Sequence, residues 1–340
     1  MKVAIVHDDL VQWGGAERVL LGLCEIFPNS PIFTSVFDRT NKELVKKFGD
    51  KKITTSFLQK IPGWKKIYKP LLPFYPIAFE QFNFDKYDLV ISHTTRFAKA
   101  IITKPKTIHI SFVHTPPRFL WHFPKREDFG VGEILLTQMR VFDQISSKRV
   151  DYFLAGSKNA QKRIRKIYGR ESKIVYPFID LERFKNIETF DGGYFLVISR
   201  GNKYKKLDLA IKACSELGVP LKIIGEQDIL SDEMVVKVLA GCSALIIPGI
   251  EDFGLVSLEA QALGKPIIAF AQGGNLETVI AEKTGIFFEE QNIESLKGAI
   301  ARLNKAKIDP SFCKENAQKF SYVKFKYNFV QVLDSLGYTI

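Results

Sequence analysis

Short apolar segments alternate with amphipathic ones along the chain, and this alternation predicts the fold. The first half opens on an apolar strand at 2–7 and continues into an amphipathic helix at 16–27, with a polar glycine-containing turn between them. Further apolar segments predict strands at 32–36, 89–92, 107–112 and 152–155. Near-continuous apolar strands separated by helical patterns are typical of a parallel sheet that is covered on both faces.

The same rhythm starts again after a polar break at 185–193. Strands are predicted at 194–198, 221–224, 244–247 and 266–269, and helices at 207–217, 233–240, 255–263, 294–303 and 322–336. This half therefore predicts a second doubly wound sheet. Such sheets bind ligands at the carboxyl ends of their strands, so the loops that follow the strands are the places to look for chemistry.

Composition narrows the class of protein. The 340 residues are 46% apolar and 25% charged, which excludes a disordered, collagenous or disulfide-scaffold chain and favours two domains. The four cysteines form no Cys-x-x-Cys pair, which fits a reducing cytosol and argues against structural zinc. We expect neither a membrane-spanning segment nor a secretory signal, because the longest apolar runs are short and the first strand leads directly into His7.

Charge is distributed unevenly between the halves. Residues 1–180 carry 30 basic and 17 acidic side chains, whereas residues 181–340 carry 19 and 20. The basic first half favours an anionic partner, which could be nucleic acid, a phosphate-rich substrate or an anionic bilayer; a merely solvated, lysine-rich surface is the alternative. Because no nucleic-acid-binding module is recognisable, we do not expect a nucleic-acid partner.

The strongest chemical pattern lies at 251–259, after the predicted strand 244–247. Gly254 permits a sharp turn, and the amides of Phe253, Gly254 and Leu255 would open a helix whose positive end suits a diphosphate. Glu251 and Glu259 would flank this cradle and could accept hydrogen bonds from sugar hydroxyls. The alternative is an ordinary strand–loop–helix connection with two exposed glutamates.

Three weaker patterns also follow predicted strands. Arg200 and Lys205 could clamp two phosphate groups, although loop cations are often only solvated. His114 could polarise or orient a substrate group, and its alternative is a structural role. The glycine pair within 272–275 is either a ligand loop or a tight turn.

Several motifs are absent from the sequence. It contains no Asp-x-Asp pair, the usual carboxylate site for Mg²⁺ or Mn²⁺ on a nucleoside diphosphate. It also contains neither a Gly-x-Gly-x-x-Gly fingerprint nor a Gly-x-Ser-x-Gly elbow. Hydride transfer on that fingerprint and serine hydrolysis are therefore not expected.

Taken together, these motifs resemble the retaining GT-B glycosyltransferases of family 4, in particular the bacterial mannosyltransferase-like branch of polysaccharide and O-antigen assembly. The resemblance covers nearly the whole chain, and 251–259 matches the family's E-x7-E motif. The other matching segments are 7–20, 55–59, 87–92, 114–116, 163–169 and 176–180. The resemblance implies an α/β chain of two Rossmann-like, doubly wound parallel-sheet domains facing across a cleft. Residues 1–183 would form the acceptor-side domain, 184–320 the nucleotide-sugar domain, and 321–340 a C-terminal helix crossing back to the first domain.

The resemblance also implies the site and the reaction. The catalytic residues would be His114, Glu251, Arg200 and Lys205, and the donor-binding residues Gly14, Gly15, Phe253, Gly254, Leu255 and Glu259. In these roles Glu259 would bind the ribose hydroxyls, Glu251 the donor sugar, Arg200 and Lys205 the diphosphate, and His114 would lie beside the transferred sugar. The donor would be a nucleoside diphosphate sugar, with GDP-mannose the best guess, and neither metal nor cofactor is expected. The acceptor would be a glycan or a lipid-linked molecule, and the protein would be cytoplasmic or peripheral on the inner face of the plasma membrane.

Two segments qualify this interpretation. Family members usually carry a helix and a strand after the strand that matches 221–224, whereas here 225–233 leads almost directly into the next helix. A catalytically weak sugar-nucleotide-binding or scaffolding protein is therefore the alternative function. The segment 60–76 interleaves cations with aromatic side chains, which favours either docking on an anionic membrane or a surface loop folded onto the first domain.

Overall fold

The chain divides into two compact units. The computed structural model describes residues 1–67, 70–121, 132–199, 203–225 and 230–338. Unit 1 comprises Met1–Tyr176 with Asn328–Ile340, and unit 2 comprises Pro177–Tyr327. This division differs from the predicted limits at 183 and 320 because Phe178 packs on Tyr322 and Phe325 at ring-centroid distances of 5.0 Å, all within unit 2.

Unit 1 is built on a sheet that has seven parallel strands in the part of the chain that the structure describes. These strands are β1 (Val3–His7), β2 (Ile32–Thr34), β3 (Ile53–Thr55), β4 (Leu89–Thr94), β5 (Ile108–Val113), β6 (Tyr152–Ala155) and β7 (Ser172–Ile174). Their spatial order is β3-β2-β1-β4-β5-β6-β7, so the direction of winding reverses between β1 and β4. The central strands are buried on both faces, which explains why their sequences are almost continuously apolar.

Helices cover both faces of this sheet. They are α1 (Gly15–Ile26), α2 (Lys42–Phe48), α3 (Trp64–Ile67), α4 (Tyr75–Glu80), α5 (Arg118–Trp121), α6 (Gly132–Ser147) and α7 (Lys158–Tyr168), with short 3-10 helices at Phe57–Lys60 and Leu72–Phe74. One end of the core is aromatic: Phe33 packs edge-on against Phe82, Phe84 and Tyr87.

Unit 2 is built on a parallel sheet with five strands among the described residues. They are β8 (Phe195–Ile198), β9 (Leu221–Ile224), β10 (Ala244–Ile247), β11 (Ile267–Phe270) and β12 (Gly285–Phe288). The spatial order is β12-β11-β10-β8-β9, which places the reversal of winding between β8 and β10. Loops after these two strands are thus the expected ligand-binding positions of this unit.

The helices of unit 2 follow its strands in alternation. They are α8 (Leu207–Leu217), α9 (Asp232–Ala240), α10 (Leu255–Ala262), α11 (Asn275–Thr278), α12 (Ile293–Lys305) and α13 (Pro310–Gln318), with 3-10 helices at Leu181–Phe184 and Lys203–Lys205. Helix α14 (Tyr322–Ser335) begins in unit 2 and ends in unit 1. In unit 1, Phe329 packs edge-on against Phe27 and Phe112, with centroids 6.3 and 6.4 Å apart.

Local chemistry sets the helix ends. The Ser157 hydroxyl accepts a hydrogen bond from the Ala160 amide at 2.9 Å, and the Asn292 side chain accepts one from Ser295 at 2.8 Å. Helix α7 stops at Gly169, whose φ of 64° lies in the left-handed region that glycine adopts without strain. In the part of the chain that the structure describes, helices of the length and apolarity needed to cross a membrane are absent.

Candidate active site

The first polar cluster lies at the reversal point of the unit 2 sheet. A small cavity, open to solvent, is lined by Val197–Ile198, Leu245–Gly249, Lys205, Glu251 and Val256. These segments are the carboxyl ends of β8 and β10 and the residues that follow them. The cavity therefore occupies the position at which an open parallel sheet of this topology binds ligands.

The Lys205 ammonium and the Glu251 carboxylate form an ion pair in this cavity. Their side chains are only 20% and 13% exposed, so the pair is partly shielded from water. Gly249 allows this approach, because a Cβ atom there would lie 2.8 Å from Lys205 Cα. The structure thus brings together two predicted site residues that are 46 positions apart. The third, Arg200, lies outside the described residues.

The predicted phosphate cradle has the expected local form. Gly254, with φ of 100°, precedes α10, and Leu255 is the first residue of the helix. The glycine pair Gly273–Gly274 packs against this loop. The Gly274 amide donates a hydrogen bond to the Glu251 carbonyl at 2.8 Å, and a Cβ atom at Gly274 would lie 2.5 Å from the Phe253 backbone nitrogen. The segment 272–275 is therefore a tight turn that supports the loop from 249 to 254.

Glu259 lies one turn into α10 and pairs with a residue that the sequence did not indicate. Its Oε1 accepts a hydrogen bond from Arg183 Nη1 at 2.7 Å, and these two side chains are 18% and 15% exposed. Arg183 Nη2 is also 3.8 Å from Asp232. Since the 3-10 helix Leu181–Phe184 presents this guanidinium, the orientation of Glu259 depends on the segment that opens unit 2.

A second polar cluster lies in unit 1, where its own sheet reverses between β1 and β4. His7 ends β1, and its Nδ1 is 3.2 Å from the His93 carbonyl and 3.0 Å from His93 Nδ1. His93 Nε2 is in turn 2.6 Å from His114 Nε2. On the other side, His7 Nε2 is 3.9 Å from Glu17 Oε1, within ion-pair range but too long for a hydrogen bond. We call Glu17, His7, His93 and His114 the histidine row.

Most of the histidine row is buried from solvent. Glu17, His7 and His93 are at most 3% exposed, and His114 is half-buried. Burial works to lower the pKa of His7, but the Glu17 carboxylate outweighs it and the pKa is raised. For His93, burial and the neighbouring His114 and His7 hold the pKa well below its usual value.

Beside the row, Asp8 binds the segment that follows β4. Its two carboxylate oxygens accept hydrogen bonds from the amides of Thr95, Arg96, Phe97 and Ala98 at 2.7 to 3.0 Å and from the hydroxyls of Thr94 and Thr95 at 2.9 to 3.3 Å. The residue is 2% exposed, and this network fixes the backbone of 94–98.

Asp9 is the third acidic group at this edge of the sheet. Its carboxylate pairs with Arg96 Nη1 at 2.6 Å and accepts a hydrogen bond from the Tyr75 hydroxyl at 3.4 Å. Burial raises the pKa of Asp9, and Arg96 only partly offsets this effect. Gly14 and Gly15 lie close by in sequence, at the start of α1, and Glu17 stands in the first turn of the same helix. Among the described residues, no three His, Cys, Asp or Glu side chains are grouped so that they could hold a metal ion.

Two doubly wound parallel sheets, each with polar groups at its reversal point, define the class of the protein as a two-domain α/β protein. A family model described as "Glycosyltransferase Family 4" matches residues 13–183, and one described as "Glycosyl transferases group 1" matches residues 228–320. Since the first of these matches half of the chain, the protein belongs to glycosyltransferase family 4. The predicted family and the predicted GT-B fold class are confirmed at this level.

Individual proteins agree with this assignment. An uncharacterised glycosyltransferase of Methanocaldococcus jannaschii is 24% identical over 224 residues, which is 58% of this chain and 63% of that protein. The alpha-1,3/1,6-mannosyltransferase ALG2 of Dictyostelium discoideum is 23% identical over 427 aligned positions, covering 99% of this chain and 98% of that protein. Anabaena HepE, solved in complex with UDP and glucose, shares the fold with a TM-score of 0.71 at 17% identity, over 98% of this chain and all of HepE.

Sequence reasoning missed His7, Glu17, His93 and Arg183. For the two histidines, a usable signal was present: each is a polar residue at or near the carboxyl end of an apolar strand, and β1 and β4 pair these residues directly. For Arg183 no local signal was present, because its partner lies 76 positions away.

Proposed function

We propose that the protein transfers a hexose, with mannose the best guess, from a nucleoside diphosphate sugar to a glycan or lipid-linked acceptor, with retention of configuration and without a metal ion. The observation that carries this proposal is the Lys205–Glu251 pair in the cavity at the reversal point of the unit 2 sheet. Similarity to the ALG2 mannosyltransferase along the full length of both chains supports mannose. The HepE complex with UDP and glucose supports nucleotide-sugar binding in this fold.

In this proposal each part of the donor has a partner in unit 2. Arg200 and Lys205 bind the diphosphate, together with the amides that open α10. Glu251 binds the donor sugar, and Glu259 binds the ribose hydroxyls. The diphosphate then replaces Glu251 as the counter-charge of Lys205, which releases the Glu251 carboxylate for sugar hydroxyls.

The reaction breaks the bond between the anomeric carbon and the diphosphate oxygen and forms a bond from that carbon to the acceptor oxygen. Charge grows on the leaving oxygen, where the Arg200 and Lys205 cations and the helix amides would stabilise it. The acceptor hydroxyl gives its proton to that same leaving oxygen, so no separate base is needed. The cations supply the charge stabilisation that a divalent ion supplies elsewhere.

In this proposal the acceptor is bound by unit 1. Within the segment 60–76, Trp64 and Tyr75 are buried in the core, and Lys65 pairs with Asp38 at 2.5 Å. Phe74, in contrast, is 49% exposed. Part of the segment is thus folded onto unit 1, as one of the two sequence interpretations expects. We further propose that its exposed cationic and aromatic side chains dock on the anionic inner face of the plasma membrane. Sedimentation with anionic liposomes tests this, and absence of binding at low salt would contradict it.

Donor binding and turnover are measured separately. A thermal-shift panel of GDP-, UDP-, ADP- and dTDP-sugars identifies the donor, because a ligand at 100 times its Kd adds about 2.7 kcal/mol of stability. The matching donor is then incubated with a glycan acceptor in the presence of a chelator, and the anomeric configuration of the product is read by NMR. Retention with turnover in chelator is expected; an inverted product or a metal requirement would contradict the mechanism.

Lys205→Met tests the role that we propose for the Lys205–Glu251 pair. Loss of one preorganised cation at a leaving group costs about 3 kcal/mol, so kcat/KM should fall about 100-fold or more. Lys212→Met, in an exposed lysine of the neighbouring helix α8, is the matched control and should retain parental turnover. Near-parental activity of Lys205→Met would contradict the proposed clamp.

One observation favours a second candidate, a sugar-nucleotide-binding or scaffolding protein with weak or no turnover. Helix α9 begins at Asp232, only eight positions after β9 ends at Ile224, and the group 1 family model matches only from residue 228. A donor that stabilises the protein but is neither transferred nor hydrolysed would establish this second function.

A further inference from the structure

The histidine row contains three of the five histidines of the chain, and its hydrogen bonds have a defined direction. A carbonyl oxygen only accepts, so His7 Nδ1, which is 3.2 Å from the His93 carbonyl, must carry a proton. The same Nδ1–H faces His93 Nδ1 at 3.0 Å, and that nitrogen must therefore accept. The direction of the first step is thus fixed by the main chain.

The same donor-to-acceptor order of the hydrogen bonds continues at His93. Because its Nδ1 accepts, a neutral His93 carries its single proton on Nε2. Burial keeps this imidazole neutral, since the pKa of His93 is well below its usual value. Its Nε2–H points at His114 Nε2 at 2.6 Å, so His114 Nε2 must accept as well. The proton of a neutral His114 is consequently on Nδ1.

Glu17 secures the other end of the row. Its Oε1 lies 3.9 Å from His7 Nε2, and its Oε2 has no hydrogen-bond partner among the described residues. A lone pair on His7 Nε2 would face this buried carboxylate and be repelled, whereas a second proton there is attracted. His7 is therefore held as an imidazolium, which keeps Nδ1 a donor.

We propose that Glu17, His7 and His93 are positioning residues that hold His114 as the neutral Nδ1–H tautomer, so that His114 acts in the reaction only as a hydrogen-bond donor through Nδ1. The inference rests on the proposed function and on the place that the family resemblance implies for His114, beside the transferred sugar. It goes beyond that function because it assigns a role to three residues that the proposed function does not use and specifies which nitrogen of His114 is used.

Two features of the fold serve this arrangement. The His114 amide donates to the Thr94 carbonyl at 3.1 Å, which places the imidazole next to the end of β4. A Cβ atom at Gly156 would approach His114 Nδ1 to 3.2 Å, so the glycine allows the His114 ring to lie close to the backbone after β6. With Nε2 already accepting from His93, His114 cannot be the base of the reaction through that nitrogen.

The tautomer is measurable without any activity. We would label the protein with ring-¹⁵N histidine and record long-range ¹H–¹⁵N correlations at pH 7, with His114→Asn to assign the resonances of His114. The expected result is a protonated Nδ1 and an unprotonated Nε2 for His114 in the parent protein. A protonated Nε2, or both nitrogens protonated, would overturn the proposal, and this outcome requires no variant of the row to fold.

Variants then test the cause. His93→Leu removes both hydrogen-bonding roles, and His114 should shift to the mixture dominated by Nε2–H that a free histidine side chain adopts. His93→Gln can accept with its oxygen and donate with its nitrogen, so it should restore the parental tautomer. His109→Gln is the matched control: His109 is also buried in this sheet, but it bonds Ser92 Oγ at 2.8 Å and lies outside the row. An unchanged His114 tautomer in His93→Leu would overturn the proposal.

Kinetics connect the tautomer to the reaction. His93→Leu should lower kcat by roughly 10- to 100-fold while the donor KM changes less than about twofold, because the donor is held by unit 2. His93→Gln should recover most of kcat. If the parent shows no transfer, the proposed function fails while the NMR result still decides the histidine row. If the parent is active and His93→Leu retains parental kcat with an altered tautomer, the positioning role is overturned.

Discussion

Asp8 offers a direct test of how unit 1 holds its polar edge together. Its buried carboxylate accepts hydrogen bonds from four successive backbone amides and two hydroxyls in the segment 94–98. Replacement by asparagine keeps the volume but exchanges one acceptor oxygen for a donor. If the amide oxygen takes the place of Oδ1, the Thr95 amide loses its acceptor at Oδ2, whereas the Arg96 amide keeps Thr94 Oγ1 as an acceptor at 2.9 Å.

The expected cost begins with the Thr95 amide. A buried donor left without a partner costs about 1–3 kcal/mol. The lost attraction to Arg96 adds to this, because removing one partner from buried charges is strongly destabilising. We therefore expect Asp8→Asn to lower the free energy of unfolding of unit 1 by about 3 kcal/mol at pH 7.

The effect should depend on pH in a defined direction. Burial works to raise the pKa of Asp8, but Arg96, His7 and the backbone donors outweigh it and hold the pKa below its usual value. A carboxylate with a lowered pKa stabilises the fold above its unfolded pKa of about 3.9, and this contribution is lost as the pH falls through the folded pKa. The difference between parent and variant should thus stay constant near neutral pH and shrink below about pH 4.

Urea unfolding followed by tryptophan fluorescence is the suitable assay, because Trp13, Trp64 and Trp121 all belong to unit 1. Asp85→Asn is the matched control: this carboxylate pairs with Lys104 at 2.6 Å in an exposed position, and its loss should leave the midpoint unchanged. A difference of less than about 1 kcal/mol for Asp8→Asn, or one that grows on acidification, would refute the reasoning.

Three further predictions concern unit 2 and the thiols. Glu259→Gln and Arg183→Met should both reduce the preference for a ribose donor over its 2′-deoxy analogue, by about tenfold in the ratio of kcat/KM values, because Arg183 orients the carboxylate that binds the hydroxyls. Gly274→Ala should destabilise unit 2 by about 1–3 kcal/mol, because the added methyl group meets the Phe253 backbone; hydrogen exchange measures this change. Gly298→Ala is the control: its methyl group enters open space within a helix, so this variant should be neutral or stabilising. All four cysteines are buried, and burial raises the pKa of each, so a disulfide reagent at pH 8 should react only after unfolding.

Each of these has an outcome that contradicts it. An unchanged ribose preference in both variants would remove Glu259 from ribose recognition, and a change in Glu259→Gln alone would separate Arg183 from that role. Equal effects of the two glycine substitutions would show that the close packing of the turn 272–275 is unimportant. A thiol that reacts in the native protein at the rate of a free thiol would show that it is accessible.

The sequence predicted the parts of the fold that are determined locally. Strands such as β4 and β10 are buried on both faces and are continuously apolar, so their pattern identifies them. It missed β3 and β7, which contain three residues each and are half-buried or exposed, because so short a segment has no usable periodicity. It also missed α6, whose exposed apolar residues blur the amphipathic pattern.

In the candidate site, too, the locally determined features were predictable and the long-range contacts were not. The loop with Gly254 and the first turn of α10 were predictable, since turn geometry and helix start are encoded by adjacent residues. The pairing of Arg183 with Glu259 and the contact of His7 with His93 connect positions 76 and 86 apart. Such contacts depend on strand order and crossover, which local patterns do not specify.

The split of α14 between the units has a consequence for biosynthesis. Phe329 and Leu333 are completely buried and belong to unit 1, although they leave the ribosome after all of unit 2. The surface around Phe27 and Phe112 therefore stays uncovered until residues 328–340 have been made, whereas unit 2 has its whole sequence available earlier. A nascent chain arrested so that residue 327 has emerged from the ribosome and residue 328 has not should thus present a finished second unit and an unfinished first one, the reverse of their order along the message.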